Sequence, residues 1–313
     1  MIIAVGSNFS YVDKCIKECL KLPEVTEIIV IPDIPLTTKY TDKRVKFIIS
    51  GKIGPGKKRD IGADAAAGDI LAFIDDDAYP ASTWLASAKS VFLDAGVVAV
   101  GGPAVTALED DFLQRASGHV FSSPLCSGSY DFRYVPRNQR ENDDLPSVNL
   151  LVRKKDFQAL GGFDTSFWPG EDTKLCLDLT HKLKKKMIYH PGVLVYHHRR
   201  NLFTPHLRQT SNYALHRGFF VKKFPETSLR ISYFLPSLFL IWLFGSLILG
   251  FLFSPIHYAL LTIMSVYLLV AFAYGYFKEG LRMGAYVAIG TLATHITYGA
   301  FFLLGLIAPT LKR

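Results

Sequence analysis

Cysteine is scarce in this chain. Cys15, Cys19, Cys126 and Cys176 are the only four in 313 residues, and none forms a Cys-x-x-Cys pair. That leaves no disulfide framework and no paired-thiol motif, and reduced cytosolic thiols are expected. The chain has no Gly-x-x-x-x-Gly-Lys-Ser/Thr run and no dinucleotide fingerprint, so neither a P-loop nor a nicotinamide-type phosphate cradle is expected. The start, MIIAVGSN, lacks a basic leader and a long apolar region, so no signal peptide is expected. No repeat of fixed period and no low-complexity segment is present. Despite a net charge of +8, no basic run resembles a nucleic-acid tail, and no nucleic-acid partner is expected. The largest absence is of charge itself: Asp, Glu, Lys and Arg are all missing from Ile231 to Phe277, 47 residues.

That run is long enough for two membrane helices of roughly 20 residues each. A further uncharged run, Met283 to Leu311, allows a third. The expected spans are 231–253, 256–277 and 283–309, broken first at Ser254-Pro255. The glycines of the third, Gly284, Gly290, Gly299 and Gly305, suggest irregular packing. Phe and Tyr gather near the ends, as in interfacial belts. Just before the run, Arg199 to Arg230 holds seven Lys or Arg against one Glu226. This basic segment, 199–230, suits an anionic membrane surface. By the positive-inside bias the large N-terminal domain before it, 1–198, is expected in the cytoplasm, in a multi-pass cell-membrane protein. Lys312 and Arg313 would then fall on the far side, against that bias.

Before Arg200, strands and helices alternate, the pattern of an α/β fold with a mostly parallel sheet. Ile2–Val5, Glu27–Ile31, Val45–Ile49, Ile70–Ile74, Val97–Val100 and Ser147–Val152 read as strands. Met187–His190 and Val193–Tyr196 read as short ones. Helices are expected over Val12–Leu22, Lys57–Ala67, Trp84–Leu93, Lys154–Leu160 and Glu171–Lys186. Asp110 to Pro146 is polar and irregular, a mobile loop near a site.

Four patterns carry chemistry. In GDILAFIDDDAYP a buried strand runs into Asp75, Asp76 and Asp77. In an extended chain Asp75 and Asp77 point the same way, and paired hard oxygens suit Mg²⁺ or Mn²⁺ with a substrate phosphate. An exposed acidic turn fits the same residues. In Trp168-Pro169-Gly170-Glu171-Asp172 two acids open a helix, where capping is ordinary and the dipole lowers a carboxylate's pKa. In Tyr196-His197-His198-Arg199-Arg200 a neutral imidazole can complete a metal shell, and the arginines can bind phosphate. GPGKKRDIG, Gly54 to Gly62, suits an anionic ligand before a helix.

Taken in order, IIVIPD, GKKRDIG, GDILAFIDDDAYP with Trp84 behind it, SVNLLVRK, GGFD, GEDTKLCLDL and YHHRR resemble a family 2 glycosyltransferase of the GT-A fold. The likeness runs over roughly Ile2 to Arg217, with a membrane region like that of membrane-bound members. It implies a nucleotide-diphospho-sugar donor, a lipid-linked or glycan acceptor, and inversion at the sugar. It places Asp33 at the nucleobase, Arg59 by the phosphates with Asp60 beside it, and Asp75 and Asp77 as the D-x-D acids. Asp77 is then the firmest metal ligand, with Asp76 facing the ribose or only the turn. Asp172 becomes the base, with Glu171 its rival, and His197 joins the metal. Gln209 matches the acceptor-side Gln of processive members, but Ser211-Asn212-Tyr213 replaces the Arg-Trp that follows it there. The departures at Gly6-Ser7-Asn8 and Asp60 both touch nucleotide recognition. A polyprenyl-phosphate acceptor and a non-catalytic sugar-nucleotide binder are the alternatives.

Overall fold

The computed structural model describes residues 1–6, 9–35, 40–163 and 165–311. Ser7, Asn8, Asp164, Lys312 and Arg313, which enter the readings above, lie outside the described residues. Two compact units emerge. One joins Met1–Leu108 to Phe132–His198, and the other joins Glu109–Asp131 to Arg199–Arg313. The first unit ends at His198 and the second resumes at Arg199, with residues 109–131 belonging to the second.

The first unit opens with β1 (Ile2–Val5), α1 (Val12–Leu20), β2 (Ile28–Pro32), β3 (Val45–Phe47), α2 (Pro55–Ala65) and β4 (Ile70–Asp75). It continues with β5 (Ala78–Pro80), α3 (Trp84–Val91), β6 (Val97–Gly101) and β7 (Ala104–Thr106). The excursion into the second unit carries α4 (Phe112–Ser122) and α5 (Pro124–Ser127). The first unit then resumes with β8 (Arg140–Glu141), β9 (Asn149–Arg153), α6 (Lys154–Ala159), α7 (Glu171–Leu177), β10 (Lys186–Tyr189) and β11 (Val195–His197).

The main sheet has the order β3-β2-β1-β4-β9-β6-β10-β8. β1, β2, β3 and β4 run parallel, as do β6 and β10. β9 runs antiparallel between β4 and β6. The sheet is therefore mixed across its middle. A second sheet, β5-β11-β7, was missed as a unit because its strands are only three residues long. Aliphatic runs such as IIAV and IIVIP form the central strands because both faces of the sheet are covered. α1 turns Val12, Cys15, Ile16 and Cys19 inward at helical spacing. Pro55 starts α2, where its missing N–H and fixed φ are harmless.

Buried Asn149 fastens the centre of the fold. It accepts from the Trp84 indole at 2.7 Å and donates to the carbonyls of Pro103 (3.2 Å) and Val193 (2.7 Å). This one side chain ties β9 to α3 and to the segments entering the second sheet. α7 is shorter than the expected Glu171–Lys186 helix. After Leu177 the chain widens into a π turn over Asp178–Lys182, where the Thr180 hydroxyl donates to the Cys176 carbonyl at 2.7 Å.

In the second unit, α8 (Thr204–Lys223) and α9 (Pro225–Ser228) precede α10 (Ile231–Gly250) and α11 (Ser254–Ile307). Asp110–Pro146 is not the irregular loop its polar composition suggested. Asp111 and Gln114 form a reciprocal capping box at the start of α4. Ala116 and Val120 then bury against Leu202, Met283 and Val287.

α11 breaks at Glu279 and Gly280, whose backbone angles leave the helical region. The segments either side of the break lie together: Gly275 meets Val287, and Gly284 meets Phe272. The glycines of the last segment do not disorder it. A Cβ at Gly305 would strike the Leu215 carbonyl of α8, so the absent side chain lets the two helices touch. α10 and α11 are each long and apolar enough to cross a membrane, and 11% of the most apolar window of each is buried.

Candidate active site

The carboxyl ends of β1, β2 and β4 lie at one edge of the sheet, since Val5 pairs with Pro32 and Ala4 with Asp75. Open α/β sheets offer ligand-binding groups at such an edge. β9 runs the other way, so its first residue, Asn149, lies opposite Ile74 at the same edge. The segment before it, including Ser147, is thereby brought to the acids at the end of β4.

Arg59 of α2 is the hinge of the site. Its side chain is 4% exposed and donates to Asp75 Oδ1 at 2.6 Å and to Glu171 Oε1 at 2.9 Å. Burial works against its charge, but Asp75 and Glu171 outweigh that and keep it protonated. The guanidinium lies 5.6 Å from the centre of the Phe163 ring. Arg59 therefore joins the strand-end acids to the helix-start acids.

Asp76 and Asp77 form a turn between β4 and β5, so the chain is not extended through the three aspartates. The extended-chain argument for pairing Asp75 with Asp77 does not hold, and each acid has its own neighbour. Asp77 Oδ1 lies 3.2 Å from His197 Nε2 of β11. The His198 N–H donates to the Asp77 carbonyl at 2.9 Å. Partial burial, with Asp77 and Asp75 beside it, pushes the Asp76 carboxyl up to about 7. The backbone N–H groups of Asp76 itself and of Gly6, after β1, oppose that rise. Among the described residues no group of three or more His, Cys, Asp or Glu forms a metal cluster.

Glu171 and Asp172 open α7 with different surroundings. Glu171 is buried against Arg59, and burial followed by Asp172 raises its carboxyl to about 7, with Arg59 opposing. Asp172 is only half-buried. It accepts from the Ser147 N–H at 3.3 Å and the Thr173 N–H at 2.8 Å. Burial and the nearby Asp144 raise its carboxyl, outweighing those N–H groups and Arg59. The helix N-terminus alone would have lowered it; the low-polarity surroundings and the second acid reverse the sign.

Asp33 sits at the end of β2, paired with the buried ammonium of Lys58, which also donates to the Val5 carbonyl. Asp60 turns elsewhere. Its carboxylate accepts from the Phe163 N–H at 2.9 Å and packs against Gly162, where a Cβ would strike it and where a φ of +79° favours glycine. The Tyr196-His197-His198-Arg199-Arg200 run divides between the units. His198 stacks on Tyr11 at 3.9 Å in the first, while the Arg199 N–H donates to Asp110 at 2.9 Å in the second.

Sequence reasoning missed Lys58 and Asp144. Lys58 stands beside Arg59 in a run of three cations, so its pairing with Asp33 had a signal. Asp144 sits in ENDDLP, where nothing local marks one acid out from its neighbours.

Residues 1–161 match the family described as Glycosyl transferase family 2. That is more than half of the chain, and the chain belongs to this family. The pre-mycofactocin glycosyltransferase of Mycobacterium tuberculosis, in strains CDC 1551 / Oshkosh and ATCC 25618 / H37Rv, is 30% identical over 147 residues. The match takes in 47% of this chain and 30% of that protein, so the chain spans less than a third of the length of these curated relatives. Among solved structures, the mannosyltransferase PcManGT from Pyrobaculum calidifontis, in complex with GDP-Man and Mn²⁺, superimposes with a TM-score of 0.52 at 15% identity. The superposition covers 95% of this chain and 86% of that one, and the likeness is one of GT-A fold.

Proposed function

We propose that this chain is a membrane-anchored, inverting glycosyltransferase that moves a sugar from a nucleotide-diphosphate donor to a lipid-linked or surface-glycan acceptor. The observation that carries the reading is the Arg59 bridge, which draws Asp75 and Glu171 to one edge of the sheet. The family match supplies the class of chemistry.

Within this reading Asp33 and Lys58 take the nucleobase end of the donor. Arg59 and the α2 start face its phosphates. Asp77 and His197 offer one carboxylate oxygen and one imidazole nitrogen, a donor pair that suits Mg²⁺ or Mn²⁺ when diphosphate and water complete the shell. When bound, such an ion neutralises charge on the departing diphosphate. Asp75, held by Arg59, sets the charge behind that pair and is a weaker ligand than the D-x-D pattern implied. Asp172 is the base and Glu171 is not, because Glu171 is committed to Arg59 while Asp172 is half-buried and, among the described residues, bound by backbone N–H groups. Its raised pKa favours accepting a proton from a hydroxyl. The acceptor oxygen bonds to the anomeric carbon as the bond to the diphosphate breaks on the opposite face, which inverts the centre. The hydroxyl proton passes to Asp172 and the nucleoside diphosphate leaves.

The membrane reading rests on the apolar side chains of α10 and α11 that face outward, among them Leu238, Ile241 and Phe244. Basic residues before Ile231 favour a cytoplasmic catalytic unit in a multi-pass protein. The charged break at Lys278–Arg282 lies on that same side in an arrangement of three helical segments, and the uncharged turn at Phe251–Ser254 lies opposite.

The test is a panel of UDP-, GDP- and dTDP-sugars with Mn²⁺ or Mg²⁺, read by thermal shift and by release of nucleoside diphosphate. One donor should stabilise the purified protein in a metal-dependent way, and Asp77→Asn should lose that response. Silence across the panel would refute the donor assignment. Full transfer by Asp172→Asn would move the reading to a phosphate acceptor, which needs no base.

A further inference from the structure

The helix that carries the candidate base is stitched to the segment just before β9. Asp144 accepts the Thr173 hydroxyl on Oδ1 at 3.3 Å. Cys176 donates its thiol to the Leu145 carbonyl at 3.4 Å. The Ser147 N–H reaches Asp172 at 3.3 Å. These contacts lie along one side of α7. Thr173 links the two acids directly, since its N–H donates to Asp172 at 2.8 Å while its hydroxyl donates to Asp144.

Asp144 is itself firmly placed. It is 3% exposed. Arg133 holds its Oδ2 at 3.0 Å and its backbone carbonyl at 2.9 Å, and its N–H donates to Asn142 at 2.9 Å. Asp144 is thus a buried carboxylate with a cation on one oxygen and a hydroxyl on the other. A second negative charge at short range disfavours ionisation of its neighbour. The other groups facing Asp172 are Glu171, Arg59 and Cys176. Arg59 is shared between Glu171 and Asp75, and Asp144, held by Arg133, is the acid that another segment sets near Asp172.

We propose that Asp144 is a positioning residue for the transfer reaction. Through Thr173 it fixes the first turn of α7, and through its charge it keeps Asp172 a stronger base than a helix-start aspartate would otherwise be. This rests on the reading of Asp172 as the base. In that reading the enzyme offsets the acidifying effect of a helix N-terminus with a buried acid from another segment.

The experiment compares wild type, Asp144→Asn, Asp144→Glu and Asp172→Asn in detergent. Infrared difference spectra against Asp172→Asn follow protonation of the Asp172 carboxyl with pH, without any donor. The midpoint in the Asp144→Asn background should fall by on the order of one unit, and Asp144→Glu should restore it. The acid limb of kcat with the donor found in the nucleotide-sugar panel should fall in step. An unmoved infrared midpoint would overturn the proposal. A moved midpoint with full activity in Asp172→Asn would spare the coupling and sink the base assignment instead. If Asp144→Asn does not fold, Thr173→Val removes only the hydroxyl. It should lower kcat severalfold with the donor KM unchanged, and an unchanged kcat would count against the proposal.

Discussion

The two units of this chain are built inside out relative to each other. In the first, aliphatic strands and Phe73, Trp84 and Phe163 fill the interior, and charge gathers at the sheet edge. In the second, Leu, Ile and Phe point outward, while Ser117, His206, Thr294 and Ser237 are buried. His206 shows the pattern. It lies between the Ser117 hydroxyl at 2.8 Å and the Thr294 hydroxyl at 2.9 Å, and burial lowers its pKa to about 4. Thr294 in turn donates to the Gly290 carbonyl at 2.7 Å, so His206 Nε2 is the donor and Nδ1 accepts from Ser117. Water drives apolar groups inward in the first. On the membrane proposal, hydrocarbon would give no such drive in the second, and close backbone contact and internal hydrogen bonds would hold the helices.

The comparison can be broken most sharply at the site. Asp172→Asn should lower kcat by about 10²–10⁴ while leaving the fold and the melting transition in place. A change in fold would mean that the site and the core are not separable. Next comes apolar truncation. Phe73→Ala, fully buried, should destabilise the first unit by about 3–5 kcal/mol in denaturant titration. Leu238→Ala, 54% exposed on α10, should cost less than about 0.5 kcal/mol in detergent. Equal losses would show that α10 is packed against protein.

The first unit was legible because its signals are local. Ile2–Val5 is a strand with the bounds read from sequence, and Val12, Cys15, Ile16 and Cys19 announce α1. Asp33, Asp75, Glu171 and Asp172 stand at element ends, where turn residues mark them. What was not legible depends on distant partners. Asp60 and Arg59 are neighbours on one helix, yet one serves the Phe163 turn and the other the site. Residues 109–131 look like a loop until α11 supplies the face that Ala116 and Val120 cover. Pairing Asp75 with Asp77 by strand periodicity failed at Asp76, where a turn replaces the strand.

Smaller effects sharpen the contrast further. Gly305→Leu should push α8 from α11 and destabilise the second unit by about 1–3 kcal/mol, with the infrared titration of Asp172 unchanged. A shifted titration would tie the helical unit to the site.

The smallest effect is on pH. Glu171 sits at about 7 against an ordinary 4.5, so the folded state binds its proton more tightly than the unfolded one does. That contribution is present in full below about pH 4.5 and fades as pH rises to about 7. Glu171→Gln should therefore flatten the decline in melting temperature across that window. An unchanged slope would place the titrating group elsewhere.

The central claim is tested most directly by sugar transfer from a labelled nucleotide-diphosphate donor into a total lipid extract, with wild type, Asp77→Asn and Asp172→Asn side by side in detergent. Metal-dependent labelling of a lipid or glycan product by wild type alone is the expected result. Equal labelling by all three proteins, or none from any donor with wild type, would contradict it.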